Sequence, residues 1–331
     1  MSNNVARNVT PQLWHTVAQY RWPVDVVRKL EAGDIDGVVA RVAQRLAADA
    51  TLNPLVNPEF SVDLFRAALA SATSSTWIDL RDGQLVGHLY GALLEDPTYG
   101  TGAWIGPDGV SFNDGDALAV LYAAAGEEWI AKGATEHFVW TLDDPSTTSA
   151  WLELGFARMH TRGVTQIHDE HHDLVEPFTL RIGTFDDLEL AIKLDDELER
   201  AQSQGPSFSR GLSKASQRDD WIETLSDPDT RHFIVDAHGV SIAQCVTFPL
   251  PDQRGSFDST IHLSAVVVLE GYRNQGVARA MVDAALSDAH ERGFAYAETN
   301  WRITNRQAAQ YWTDYGFTTT YARFHRTIGI Y

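Results

Sequence analysis

The stretch Arg273-Asn274-Gln275-Gly276-Val277-Ala278 is where this chain's residue types and spacing point most clearly to chemistry. Small residues at Gly276 and Ala278 let backbone amides at a helix start approach a ligand closely, and the free N–H groups of a helix N-terminus attract anions. Before it, residues 261–269 are β-branched and apolar and predict a buried strand. Behind it, Met281, Val282, Ala285 and Leu286 recur at helical spacing. Side chains of a strand alternate between faces. Alternation puts Ile261, Leu263, Ala265 and Val267 on one apolar face, and Thr260, His262 and Ser264 on the other with Val266 and Val268. An imidazole such as His262 can deprotonate an ammonium near neutral pH. Tyr296, Glu298 and Asn300 alternate on a later strand, where a buried carboxylate would have a raised pKa and could also act as a base. Either group could instead serve only the packing of the sheet.

Farther on comes Asn305-Arg306-Gln307-Ala308-Ala309-Gln310-Tyr311-Trp312-Thr313-Asp314-Tyr315-Gly316-Phe317. Asn305 suits a helix N-cap, and Gly316 suits the position just past the helix end. The Arg-x-x-Gly-x-Ala loop and this short helix, in this order and spacing, resemble the two signatures of the GNAT (Gcn5-related N-acetyltransferase) superfamily. The resemblance implies an acyl-CoA co-substrate, acetyl-CoA or another, with no metal. Arg273, Asn274, Gln275, Gly276, Val277, Ala278 and Arg279 would hold its pyrophosphate. The backbone of Val266, Val267 and Val268 on the fourth strand would pair with its pantetheine arm, and Asn305 would touch that arm or only cap its helix. The reaction implied is acyl transfer to an amine, with His262 or Glu298 as general base. The family's usual general-acid tyrosine falls at Trp312, whose indole cannot supply the proton. Tyr311, roughly 100° around the helix, or Tyr321 would have to serve in its place.

The elements that must position these residues occur twice. Trp140 and Trp301 are 161 residues apart (301 less 140), and the same offset relates Asp144 to Asn305, Trp151 to Trp312, Gly155 to Gly316, Phe156 to Phe317 and Gly115 to Gly276. It also pairs His262 with Thr101. The chain therefore reads as two copies of one α+β fold, βααβββαβαββ, each with a mixed, mostly antiparallel sheet: residues 1–165, a linker over 166–176, and residues 177–331. In the C-terminal copy, periodicity predicts strands over 178–184, 231–236, 241–248, 260–269 and 296–303. Helices are predicted over 186–202 and 214–225, from Gly276, and from Asn305, with strands following Phe317. In the N-terminal copy, helices fall near 34–48, 61–71 and 116–131, with strands near 76–80, 84–93, 102–105 and 137–142. At the loop, that copy reads Phe112-Asn113-Asp114-Gly115-Asp116-Ala117. It lacks the arginine and carries two carboxylates, which would repel a phosphate and suit a helix start in their own right. One acyl-CoA site per chain is expected, in the C-terminal copy, beside a degenerate N-terminal one.

Bulk properties narrow the alternatives. With 331 residues, 44% hydrophobic and 21% charged, the chain has the composition of a globular protein of about two domains. Asp and Glu total 45 against 26 Lys and Arg, a net charge of −19, which disfavours nucleic acid and would attract a cationic amine. No apolar run is long enough to span a bilayer, and the N-terminal residues lack a signal-peptide pattern, so a cytoplasmic location is expected. The lone Cys245 reads as a buried hydrophobe. The tract His168-Asp169-Glu170-His171-His172-Asp173 has metal-ligand residue types but reads better as a solvated connector. The expected partner is a small-molecule amine. The alternatives are a non-catalytic acyl-CoA sensor and a protein N-acetyltransferase.

Overall fold

The computed structural model describes residues 26–71, 74–168, 172–250 and 255–329. The first half runs β1 (Val26–Lys29), α1 (Ile35–Leu52), α2 (Val62–Leu69), β2 (Ser74–Arg81), β3 (Gln84–Asp96), β4 (Gly100–Ile105), β5 (Val110–Phe112), α3 (Gly115–Ala131), β6 (Glu136–Leu142), α4 (Pro145–Glu153) and β7 (Ala157–Gln166). The second runs β8 (Phe178–Ile182), α5 (Leu188–Ser203), α6 (Lys214–Ser226), β9 (Arg231–Ala237), β10 (Val240–Pro249), β11 (Thr260–Val268), α7 (Val277–Glu291), β12 (Tyr296–Arg302), α8 (Arg306–Tyr315) and β13 (Thr318–Thr327). Each half ends in a single strand, not the two expected. The first also carries the short β5, and its β1 had no clear periodic signal.

Two separate sheets were expected; the described residues form one. Its 13 strands run β1-β2-β3-β4-β6-β13-β7-β12-β11-β10-β9-β8, with β5 paired to β3. The halves exchange their last strands. β13 pairs antiparallel with β6, and β7 pairs antiparallel with β12, so each half is completed by the strand of the other. β7 and β13 also pair with each other, which joins the two sheets into one. The reason is compatibility: β7 and β13 occupy equivalent repeat positions 161 apart (318 less 157), so either can close either half. Packing fixes the outcome. Ala322 and Phe324 of β13 fill the core under α3 and α4, beside Trp129 and Trp151. On β7, Gly163 lets the Trp301 ring lie against the strand; a Cβ there would fall 2.4 Å from Cζ3.

Helices cover both faces. Helices α7 and α8 bury Met281, Val282, Ala285 and Trp312 against Ile261, Leu263, Ala297 and Trp301 of the sheet. On the opposite face, α5 and α6 pack Leu188, Ala191 and Trp221 against Val246 and Phe248, while α1 and α2 pack Val38, Val42, Leu46 and Phe65 against Ile78. Between those two helix pairs, the middle of that face carries polar and aromatic side chains from β12, β7 and β13. Among the described residues, no helix is long and apolar enough to cross a membrane.

Candidate active site

Helix α7 starts without a side-chain cap. Its N-cap, Gly276, sits in the left-handed region (φ 81°), and Asn274 before it does too (φ 60°), a turn that directs successive amides to one side. Exposed Arg273 folds back, donating from Nε to the Val268 carbonyl at 2.9 Å, and Gln275 donates to the Gly271 carbonyl at 3.2 Å. Arg279 is turned elsewhere: its Nε lies 3.2 Å from Asp283, and its guanidinium lies 4.1 Å over the Tyr315 ring. It was expected with the loop, but an acidic side chain one turn along its own helix holds it away.

The strand before the loop is bulged. Ala265 has a positive φ of 49°, and the β10–β11 register slips between Gln244 and Val246. The bulge overturns the simple alternation: Ala265 packs toward α5 and α6, whereas Val266 and Val268 join Ile261 and Leu263 on the α7 side. Parallel pairing of β11 with β12 runs only from Thr260↔Tyr296 to Leu263↔Thr299, where Thr299 Oγ1 donates to the Leu263 carbonyl at 2.9 Å. Beyond that rung, β11 continues to Val268 with no β12 residue paired beside it. The strands part there, leaving a backbone edge next to the α7 N-terminus.

At the point of parting, on the α5–α6 side, stand His262 and Glu298, paired rungs of β11 and β12. His262 is nearly buried beside the Phe248 ring (5.2 Å), and its Nδ1 lies 3.6 Å from Glu298 Oε1. At that length it is an electrostatic contact rather than a formed hydrogen bond. Glu298 is fully buried, accepts from Ser256 Oγ at 2.5 Å, and has Arg162 Nε at 3.6 Å. Burial would raise its carboxyl, but the Arg162 guanidinium, His262 and Ser256 outweigh burial and hold it at about 2. The raised pKa expected for Glu298 is therefore overturned by a cation that the expectation did not include. Arg162 comes from β7 of the other half, and from the segment between α1 and α2 of that half Asn57 donates from Nδ2 to the Ser256 carbonyl at 3.2 Å. Neither was singled out in the sequence. The one available signal was that Arg162 and Arg323 stand at the repeat offset (323 less 162).

Helix α8 places its residues as follows. Asn305 caps the helix, its Oδ1 accepting from the Ala308 amide at 3.1 Å, and Gly316 ends it in the left-handed region (φ 115°). Trp312 is buried in the core under α7. The Tyr311 hydroxyl is buried and finds no hydrogen-bond partner among the described residues. Burial pushes its pKa up, Cys245 and Asp283 add to that, and Arg279 opposes them. Tyr315 donates to Asp283, which also pairs with His172 Nδ1 at 2.5 Å. Asp169, Glu170 and His171 of the histidine-rich tract lie outside the described residues. Among the described residues, no group of three or more His, Cys, Asp or Glu could hold a metal ion.

The N-terminal half keeps the capped short helix, with Asp144 at its start and Gly155 past its end, but differs at the loop, the strand pairing and the paired rung. The Asp114 side chain caps α3, accepting from the Ala117 amide at 2.8 Å, and pairs with Arg81 at 3.0 Å. The Ala117 amide lowers its pKa most; burial opposes this, and Arg81 adds to the lowering. β4 keeps β6 beside it from Gly102 to its last residue, Ile105, and the chain then turns away through Gly106 and Gly109. Strand register also corrects the repeat partner of His262. His262↔Glu298 corresponds to Trp104↔Phe138, not to Thr101, because β4 and β6 carry offsets of 158 and 160 (262 less 104, 298 less 138). Trp104 and Phe138 stack at 4.1 Å where the other half has an imidazole and a carboxylate.

Comparison with known proteins agrees with this architecture. Residues 196–317 match the model of the acetyltransferase (GNAT) family. A GCN5-related N-acetyltransferase from Sphaerobacter thermophilus superposes with a TM-score of 0.62 at 16% identity, covering 92% of this chain and 96% of that one. A tandem GNAT protein from the clavulanic acid biosynthesis pathway superposes with a TM-score of 0.56 at 17% identity, covering 92% and 99%. A comparison with curated proteins returns no significant match. Residues 196–317 thus match the acetyltransferase (GNAT) family model, and the chain as a whole has the fold of these tandem GNAT structures.

Proposed function

We propose that the C-terminal half transfers an acetyl or other short acyl group from acyl-CoA to the amine of a small molecule, and that the N-terminal half is catalytically silent. The contrast between the halves carries this reading. One has an uncapped α7 beside a strand edge freed by the parting of β11 and β12; the other has an Asp-capped α3 and a β4 that ends at its last paired residue, Ile105. The residues fit the co-substrate. Amides of Asn274 to Ala278 with Arg273 would hold a pyrophosphate, and the β11 edge at Val266 to Val268 would pair with an extended amide chain. When bound, acyl-CoA supplies an activated thioester. His262 takes the proton that the acceptor nitrogen must lose. Glu298 is the poorer base, because a fully buried carboxylate held at about 2 accepts a proton weakly near neutral pH. The Tyr311 hydroxyl, kept protonated by its burial, is the candidate to return a proton to the departing sulfur.

The test has two parts. Calorimetric titration with acetyl-CoA is expected to give one site per chain, and Arg273→Glu to remove it by placing a negative charge beside the phosphates. A panel of small amines is then expected to contain one that releases free coenzyme A on mixing. Two equivalent sites would overturn the silent-copy reading. Binding without release for any amine, with release on lysine peptides, would move the acceptor to protein.

A further inference from the structure

We propose that the catalytic site is composite: Arg162, delivered by the exchanged strand β7, is a positioning residue whose guanidinium pairs with Glu298 so that Glu298 orients the imidazole of His262. The inference rests on the acyl-transfer reading above and names a part of that site which the C-terminal half does not encode. Arg162 is buried, with Nε 3.6 Å from Glu298 Oε1, and its guanidinium lies over the rings of Trp140 (4.9 Å) and Tyr321 (5.3 Å). These rings hold the fork in place. Glu298 Oε1 is also the atom 3.6 Å from His262 Nδ1, so one carboxylate oxygen faces both groups. At this separation the anionic oxygen orients the ring by its charge, Nδ1 toward the carboxylate and Nε2 away from it, toward an acceptor.

The chain contains its own control. Arg323 of β13 is the repeat equivalent of Arg162 and is likewise packed among rings, 5.6 Å over Trp140, 5.7 Å over Phe138 and 5.8 Å over Trp104. Its half-site holds the Trp104–Phe138 stack where a carboxylate and an imidazole would stand, and its Nη2 contacts His160 at 2.6 Å. The half-buried Arg323 is thus accommodated by aromatic faces and His160 without a carboxylate beside it. Glu298 is present only in the half that also has His262 and the opened strand edge. Among the described residues, the groups facing Glu298 include Arg162 from β7, His262 from β11 and Ser256 from the loop before it. Tyr321 of β13 lies beyond Arg162, with Asp49 and Arg45 of α1 and Asp108 acting on it from farther away.

Arg162→Met removes the charge and Arg162→Lys restores it without the fork. In the full-length chain, the Glu298 carboxyl is followed by carbon NMR of protein labelled at the glutamate carboxyl carbon, its signal identified by its loss in Glu298→Gln. Removal of a neighbouring cation raises the pKa of a carboxyl. The expected result is that Glu298 stays ionised at pH 4 in the wild type and in Arg162→Lys, and is mostly protonated there in Arg162→Met. Turnover in Arg162→Met is expected to fall tenfold or more with acetyl-CoA affinity unchanged, and to recover in Arg162→Lys. A Glu298 carboxyl that remains ionised at pH 4 in Arg162→Met overturns the proposal, and so does unchanged turnover. If the methionine variant does not fold, Arg162→Lys decides alone: an ionised Glu298 with turnover within tenfold of wild type supports it, and a protonated Glu298 overturns it. The carboxyl signal does not depend on catalysis, so a failure of the acyl-transfer reading would be seen separately, as absent coenzyme A release by the wild type.

Discussion

At the scale of single residues, the proposed site would divide labour between two titratable groups that the sequence alone left as rivals. Glu298 is sealed from solvent and held at about 2; His262 sits at its edge. His262→Ala is expected to lower turnover with saturating amine by ~10²–10⁴-fold, the usual worth of general-base assistance, while acetyl-CoA affinity stays nearly intact. Its pH–rate profile is expected to lose the acidic limb. Glu298→Gln is expected to lower turnover but to keep an acidic limb; the reverse pattern would make Glu298 the base. His262 was legible because it precedes a local motif. Arg162 was not, because its partner Glu298 is more than a hundred positions away in sequence and nothing near Arg162 marks the contact. The pKa of Glu298 could not be foreseen without it, since burial and a neighbouring cation act in opposite directions.

At the scale of elements, the helices and their ends were legible and the strands' partners were not. Asn305, Gly316 and Asp144 cap as their types predict, because capping is decided within a few residues. The bulge at Ala265 has no comparable signature, so strict alternation put Val266 and Val268 on the wrong face. Helix α1 offers a separate test. Burial raises the Asp49 carboxyl to about 6, against Arg45 at 3.6 Å, and Asp144 adds to the rise. A carboxyl whose folded pKa exceeds its unfolded one binds its proton more tightly when folded, so its burden is absent below the unfolded value and complete above the folded one. Asp49→Asn is therefore expected to be more stable than wild type at pH 8, by on the order of 2 kcal/mol, with the gap closing near pH 4. Denaturant melts at both pH values would show this, and a variant less stable at pH 8 would refute it.

At the scale of the whole molecule, two copies of a fold were readable from the 161-residue offset, but their union in one sheet was not, because the offset says which strands are alike and not which strands meet. The exchange makes a definite demand on the halves as separate pieces. Residues 177–331 alone lack β7, so the site lacks Arg162 and β12 is left to whatever strand can reach it. Expressed alone, that piece is expected to bind acetyl-CoA weakly and turn over poorly, and residues 1–176 added during refolding are expected to restore both; full activity of the isolated piece would show that the exchange is dispensable. The same feature sets a problem of timing during synthesis. β7 leaves the ribosome with β6 already made, and β6 is the neighbour that β13, its repeat equivalent, takes in the finished sheet. At ordinary elongation rates, β13 follows roughly ten to thirty seconds later, far longer than a hairpin needs to form. For that interval, the nascent chain has a near-native wrong partner for β7 at hand. Reaching the final sheet then means either leaving β7 unpaired or undoing a ladder already formed, so the slowest step in maturation is expected to be the trading of strands rather than the folding of either half.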